Sequence, residues 1–453
     1  MWRWMSRWQR WLLPWRRDRL GTYLHCWAGE EAASVRYLAE AALSMPLEEL
    51  EAPVWYGSGG VPPEVIDVRR GAIRSICFQP SGHSGNLLPP PGGCRELRAA
   101  VAERYAHSAG ISPRNILITP GGSGALSLAL RTCVNPGDRV VLFDPSSPLF
   151  VGLLRGWKAR IAWVPTWVEA GWCRFPRSVL ERVLRRARML IIADPVNPTG
   201  AVFHPDDREY IAWLAAAYDV LVYVDQAFAE LHPQGSQGGW EEIPGIAGRL
   251  LLAGSLSWSH NLSGWRVGWL VAPPLLLRVA SAIQQLHATL VPTPCQLLSA
   301  ACLRPVDPSE RHALFRRWQE QRQEAMDLFR RWGLETGDSG QGGFLWVSTA
   351  NLGLSGRDCA ELLARQYRLL VLAGEVCGPS GQNMIRLCLL QHAGHWHEAL
   401  RRLNQFVNDG LRSGSLDPTQ KQLCSRGPSR RSPLSVQPSG NRGGCALLPT
   451  HAR

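Results

Sequence analysis

Between residues 115 and 255 the chain alternates short β-rich runs with helical patterns, and few architectures accept that order. The runs are Asn115 to Thr119, Arg139 to Phe143, Met189 to Ala193, Val220 to Val224 and Leu250 to Ser255, with helical periodicity in most intervals. Such alternation predicts an α/β fold built on a mostly parallel, doubly wound sheet, whose ligands bind beyond the carboxyl ends of the strands. The polar and glycine-rich clusters of this region fall at those ends.

Around this core the chain divides into five stretches. Residues 1–20 form a Trp/Arg-rich extension, 21–72 an N-terminal segment, 73–275 the large sheet domain, 276–411 a smaller α+β domain, and 412–453 a basic Ser/Pro/Gly/Arg tail. In the smaller domain a long Arg-rich helix is predicted over Pro308 to Trp332, with strands starting at Gly342-Gly-Phe-Leu-Trp-Val and Met384-Ile-Arg-Leu-Cys-Leu. The tail lacks apolar periodicity and is expected to be disordered, because it cannot bury enough surface to offset its ordering entropy. In the extension, Trp4, Trp8, Trp11 and Trp15 fall on one helical stripe beside Arg3, Arg7 and Arg10, as in a helix lying at a membrane interface. Pro14 would kink that helix, so an arm packed on a partner subunit, or residues upstream of the true start, is the preferred reading.

The net charge of +12 would suit nucleic acid if it were concentrated on the folded body. Residues 1–20 hold six Arg and one Asp, and residues 411–453 hold six Arg, one Lys and one Asp, so the two ends carry +11 of the total. The body is nearly neutral, and no nucleic acid is expected as a partner. The twelve cysteines show no CxxC pair or ligand spacing, which argues against a zinc site or a disulfide framework and for a reduced, cytoplasmic setting. No apolar run reaches the length of a bilayer span.

Five motifs carry chemistry. Ile118-Thr-Pro-Gly-Gly-Ser-Gly-Ala-Leu126 is a strand end turning into a helix, where Gly122, Ser123 and Gly124 let backbone N–H groups close on an anion. Asn197 lies in Asp194-Pro-Val-Asn-Pro-Thr-Gly200, and Asp225 ends an apolar run. Ser255, Ser257 and Arg266 lie in Gly254-Ser-Leu-Ser-Trp-Ser-His-Asn-Leu-Ser-Gly-Trp-Arg-Val-Gly268, and Arg386 lies in Met-Ile-Arg-Leu. Taken singly, each has a plain structural reading as a turn, a helix cap or a surface residue.

In this order and spacing the motifs resemble the class I/II aminotransferases of pyridoxal-phosphate (PLP) fold type I. The resemblance implies a large PLP-binding domain with a smaller C-terminal one, usually in a homodimer, and transfer of an amino group between an amino acid and a 2-oxo acid. It assigns Gly122, Ser123, Ser255, Ser257 and Arg266 to the cofactor phosphate, Asn197 to its phenolic oxygen, Asp225 to its pyridine nitrogen and Arg386 to the substrate carboxylate. Trp55 to Val65 and Gly92 to Arg98 resemble the family's approach to the active site and the helix that follows it.

The pattern breaks at one position. Where the family carries the lysine that forms a Schiff base with PLP, this chain has Trp258, whose indole N–H donates but is not a base. The chain holds only two lysines, Lys158 and Lys421: the first is expected away from the ligand edge of the sheet and the second in the tail. Drift from lysine would normally give arginine, and no lysine codon reaches the tryptophan codon by one base change. Three more positions depart together. Ser147 stands where an aromatic residue would stack on the pyridine, Leu88 where a partner's tyrosine often reaches the phosphate, and Phe228 where a tyrosine would face the phenolic oxygen. The residues therefore leave open an aminotransferase, a non-catalytic pseudo-aminotransferase acting as scaffold or partner of an active homologue, and a lysine-independent PLP or pyridoxamine-phosphate enzyme with His260 as a replacement base. In each case the cofactor would be held non-covalently.

Overall fold

The structure is a computed structural model that describes residues 66–67, 88–106, 110–231, 239–287, 290–303, 308–337, 342–391 and 393–413. The Trp stripe, Trp55 to Val65 and the tail beyond residue 413 lie outside the described residues.

The central sheet has seven strands: β1 (Ile116–Pro120), β2 (Arg139–Asp144), β3 (Arg160–Pro165), β4 (Met189–Ala193), β5 (Leu221–Asp225), β6 (Leu250–Ser255) and β7 (Val267–Val271). Their spatial order is β1-β7-β6-β5-β4-β2-β3. All neighbours pair in parallel except β7, which runs antiparallel between β1 and β6. The five expected runs are all strands here, within a residue or so of their expected ends. Strands β3 and β7 were not among them. The first is an edge strand with only Val164 buried, and the second carries Gly268 and Trp269 in place of a plain apolar run.

The sheet is buried on both faces, as a parallel sheet must be. Val222, Val224, Leu250 and Leu252 face one apolar cluster, and Leu221, Tyr223, Leu251 and Ala253 face the other, beneath the helix Gly121–Cys133. Because side chains alternate along a strand, Asp225 and Ser255, two residues beyond Tyr223 and Ala253, emerge on the same face as that helix.

A smaller antiparallel sheet follows, of β8 (Phe344–Ser348), β9 (Leu372–Ala373) and β10 (Met384–Cys388) in the order β8-β10-β9. The long helix spans Pro308–Trp332 as its periodicity predicts. It packs with Gly356–Tyr367 and Ala393–Ser413 around Phe329, Leu363, Leu387, Trp396 and Phe406. Among the described residues no helix is long and apolar enough to cross a membrane.

Candidate active site

The site is assembled at the carboxyl edge of the central sheet. Pro120, Ala193, Asp225 and Ser255 end parallel strands there. Arg266 joins them because β7 runs the other way, so that the residue before its first strand position lies beside Pro120, which pairs with Val267. Register does the same for the rest: Asp225 sits between Ala193 and Ala253, and Ser255 lies opposite Gly268.

The polar side of the site is a cup at the start of the helix Gly121–Cys133. Gly121 takes a positive φ of 72°, and a Cβ there would fall 2.5 Å from the Arg266 guanidinium. A Cβ at Gly268 would fall 2.5 Å from the Gly121 carbonyl carbon. Glycine at both positions lets the helix terminus and the arginine close on one point. Arg266 Nη2 donates to Ser123 Oγ at 3.2 Å and to the Pro120 carbonyl at 3.3 Å, and Nη1 donates to the Ser263 carbonyl at 3.0 Å. Across the cup, Ser255 Oγ donates to Ser257 Oγ at 2.8 Å and accepts from the Ser257 N–H at 3.0 Å, so Ser255 caps the short helix Leu256–Ser259. Three hydroxyls, a guanidinium and the positive end of a thirteen-residue helix suit a phosphate.

On the ring side, Asp225 Oδ1 accepts from the Ala227 N–H at 2.9 Å. Burial pushes its carboxyl up to about 6, against that hydrogen bond, although the residue as a whole keeps some solvent contact. A cation placed beside it would draw the value back down. Asn197 Nδ2 donates to Ser147 Oγ at 3.5 Å, and Asn197 Oδ1 accepts from Arg386 Nη1 at 2.6 Å. The Arg386 guanidinium lies 4.4 Å from the centre of the Phe344 ring. The structure thus brings the polar candidates of the sequence to one edge, with Arg386 reaching over from the smaller sheet.

Trp258 lies on the same short helix, one residue beyond Ser257. Its ring packs on Phe228 at 5.0 Å, tilted by 34°, and meets Phe344 edge-on at 6.4 Å. Phe228 and Phe344 touch at 5.1 Å, and Phe315, Trp318, Cys388 and Leu390 complete an apolar cluster. The indole is therefore packing, shared between the large and the small sheet.

Residues 57–405 match the family description "Aminotransferase class I and II". This chain belongs to the class I and class II aminotransferases. It is 30% identical over 316 residues to the arginine–pyruvate transaminase of Pseudomonas aeruginosa, covering 69% of this chain and 80% of that protein. It is 28% identical over 328 residues to an aromatic-amino-acid aminotransferase of Thermococcus litoralis, covering 70% and 83%. Among solved structures, it shares its fold with an aromatic aminotransferase of Pyrococcus horikoshii at a TM-score of 0.68 and 22% identity, over 77% of this chain and 97% of that one. It also shares the fold of the N-succinyldiaminopimelate aminotransferase of Mycobacterium tuberculosis at a TM-score of 0.66 and 23% identity, over 75% and 93%.

Aminotransferases of these classes act on amino acids and 2-oxo acids and use pyridoxal phosphate. The donor set fits that cofactor at its phosphate, in the cup, and at its ring, beside Asp225 and Asn197. It does not fit a covalent link, since Trp258 offers no amine. Lys158 lies before the first residue of β3, at the opposite edge of the sheet, where its carbonyl accepts from the Gly137 N–H at 2.8 Å. His260 is buried; its ring bonds Ser259 Oγ at 2.8 Å, and burial together with the nearby Arg104 holds its imidazolium form down, to a pKa of about 4. Leu88 is 85% exposed.

Other contacts at the site had no sequence signal. Asp144, buried at the end of β2, accepts from the Ser380 N–H at 3.0 Å and from Ser380 Oγ at 2.8 Å, tying the large sheet to the region after β9. Burial pushes the Asp144 carboxyl up and the two Ser380 donors pull it back. Phe344 entered the sequence reading only as part of a strand, because nothing in its local spacing says that it will meet Arg386 and Trp258.

Proposed function

We propose that this chain is a non-catalytic member of its family, which binds pyridoxal phosphate without a covalent bond and does not pass amino groups by the lysine-dependent route. The observation that carries this reading is Trp258 in its aromatic stack. In the lysine-bearing family the residue at that position must move a proton, and the indole has no basic nitrogen to do so.

When bound, the cofactor would supply an electron sink for chemistry at the amino-acid α-carbon. This chain's residues would hold it there. Ser123, Ser255, Ser257 and Arg266 would take the phosphate, Asp225 would serve the pyridine nitrogen and Asn197 the phenolic oxygen, and Arg386, held by Asn197, would receive a carboxylate. His260 gives no support to a lysine-independent reaction, since its ring is buried and its side-chain hydrogen bond goes to Ser259, which is not a site residue. We read the assembly as a homodimer, as the family resemblance implies, with Leu88 in place of the tyrosine that often reaches a second active site.

Equilibrium dialysis of the full chain against pyridoxal phosphate, followed by borohydride reduction and peptide mass spectrometry, tests both parts. The expected result is saturable binding with no pyridoxyl group on Lys158 or Lys421. A lysine-linked pyridoxyl group, or amino-group turnover between an amino acid and a 2-oxo acid, overturns the reading.

A further inference from the structure

We infer that Asp144 is a positioning residue for Arg386: it pins the connector between β9 and β10 to the edge of the large sheet, and so sets how firmly the site grips a carboxylate that Asp144 itself does not touch. This deepens the proposed function and rests on its assignment of Arg386 to a carboxylate.

Arg386 is mounted in the middle strand of the smaller sheet, opposite Leu372 on β9 and Trp346 on β8. Residues directly opposite one another share a face of a sheet. Leu372 and Trp346 pack with the fully buried Cys377, so the connector, residues 374–383, lies over the face from which Arg386 rises. Burial pushes the Cys377 thiol up to about 12, while Arg386 draws it down and Asp144 raises it. The connector is therefore within the field of both charges.

It is built as one stiff piece. Its two short turns, Gly374–Cys377 and Pro379–Gly381, meet where a Cβ on Gly374 would run into the Gly381 carbonyl oxygen and one on Gly381 into the Gly374 carbonyl. Backbone packed so closely moves as a unit. Three hydrogen bonds fasten it to the large sheet: the Ser146 N–H donates to the Cys377 carbonyl at 2.7 Å, and the Ser380 N–H and Oγ donate to Asp144 at 3.0 Å and 2.8 Å. Gly378 is wedged between the two, since a Cβ there would strike Asp144 Oδ1 and lie 3.1 Å from the Trp163 ring. Asp144 is buried and both its oxygens accept from Ser380, so it acts through the connector.

Arg386 is thus held twice. Asn197 Oδ1 accepts from its Nη1 at 2.6 Å from the side of the large sheet, and the smaller sheet carries its backbone. The two agree only while the connector stays seated on Asp144. A displacement of about 1 Å is enough to spoil the grip of a guanidinium on a carboxylate.

Isothermal titration calorimetry of the full-length protein saturated with pyridoxal phosphate, with pyruvate and phenylpyruvate as carboxylate probes, tests this. Asp144→Ala frees the Ser380 donors to turn to water; it is expected to weaken the tighter probe at least about tenfold and to leave pyridoxal phosphate within about twofold of its native affinity. Asp144→Asn keeps an acceptor for Ser380 and is expected to hold the probe within about threefold of native affinity. Gly378→Ala, which leaves every polar group in place and drives the connector off Asp144, is expected to match Asp144→Ala. Arg386→Gln should also cost at least about tenfold, and Asp144→Ala added to it no more than about a further twofold, since both act through one guanidinium. Native probe affinity in Asp144→Ala or Gly378→Ala, an equal loss of probe and cofactor, no recovery in Asp144→Asn, or additive losses in the double variant each overturn the inference. Circular dichroism melts certify folding; where Asp144→Ala does not fold, Gly378→Ala decides, and failing that Ser380→Ala, with an expected loss of about threefold. If Arg386→Gln binds the probe as the native chain does, or neither probe binds, the carboxylate reading of Arg386 falls and takes this inference with it. If Arg386 proves sensitive and Asp144 does not, only this inference falls. If pyridoxal phosphate fails to bind while a probe does, the cofactor reading falls and the probe affinities of the same variants decide this one.

Discussion

The two sides of the site have diverged in opposite directions. The phosphate side keeps a full set of anion-binding groups: a helix terminus brought close by Gly121 and Gly268, three hydroxyls, and Arg266 bonded to Ser123. The opposite side, a single residue further along the same short helix, has become an aromatic core of Trp258, Phe228 and Phe344. An anion cup serves no packing purpose that apolar residues would not serve more cheaply, since its polar groups must be satisfied. An aromatic cluster, in contrast, contributes to stability without any ligand. On the proposed reading the difference means that binding and proton transfer are separable in this fold, because neighbouring residues of one helix turn would serve them independently.

The largest effect should come from Trp258→Lys. If the polar side is competent, the variant should acquire a borohydride-fixable pyridoxyl group on residue 258 and pass amino groups at least about 100-fold faster than the native chain. A variant that binds cofactor yet stays silent would show that the aromatic side has changed beyond one residue, with Ser147 and Phe228 the next to restore to aromatic and tyrosine side chains. Next in size, Arg266→Leu should weaken pyridoxal phosphate by about 10- to 100-fold, the loss of a charged hydrogen bond, as read by absorbance titration. If it does not, the cup is packing too and the contrast fails.

Trp258→Ala addresses the other side. The ring is half-buried, so urea unfolding should show a loss of about 2 kcal/mol, below the range of a fully buried tryptophan. A variant as stable as the native chain would mean that the cluster holds nothing together.

The smallest effect concerns Asp225 in the cofactor-free protein. Its folded pKa, raised to about 6 by burial, exceeds that of the unfolded chain, so the folded form keeps its proton longer. The stability it contributes is present at acid pH and is lost as pH rises through about 6. Asp225→Asn should remove this loss, roughly 1–2 kcal/mol after allowance for partial solvent contact, and unfolding curves between pH 4 and pH 7 would register it. Added pyridoxal phosphate should suppress the same loss in the native chain, because a protonated ring nitrogen favours the carboxylate. A pH slope indifferent to the cofactor would place Asp225 outside the site.

Much of this was legible in residue order. Five strands, the long helix Pro308–Trp332 and the polar candidates at one sheet edge follow from periodicity and from short motifs, which are local properties of the chain. What escaped notice was non-local. Strand β7 was hidden because its Gly-Trp centre departs from strand composition, and it is a partner on either side that makes it a strand. The Asp144 to Ser380 link spans 236 positions, and the meeting of Phe344 with Trp258 joins two sheets.

Residue order by itself determined the family, the anion cup and the absence of an amine at position 258, since each of these is a matter of which side chain stands where in a short motif. Only the tertiary structure decided what the tryptophan does there. Its ring is placed by Phe228 and Phe344, which lie thirty and eighty-six positions away, and packing between distant side chains is set by the closure of the two sheets on each other and by no local pattern.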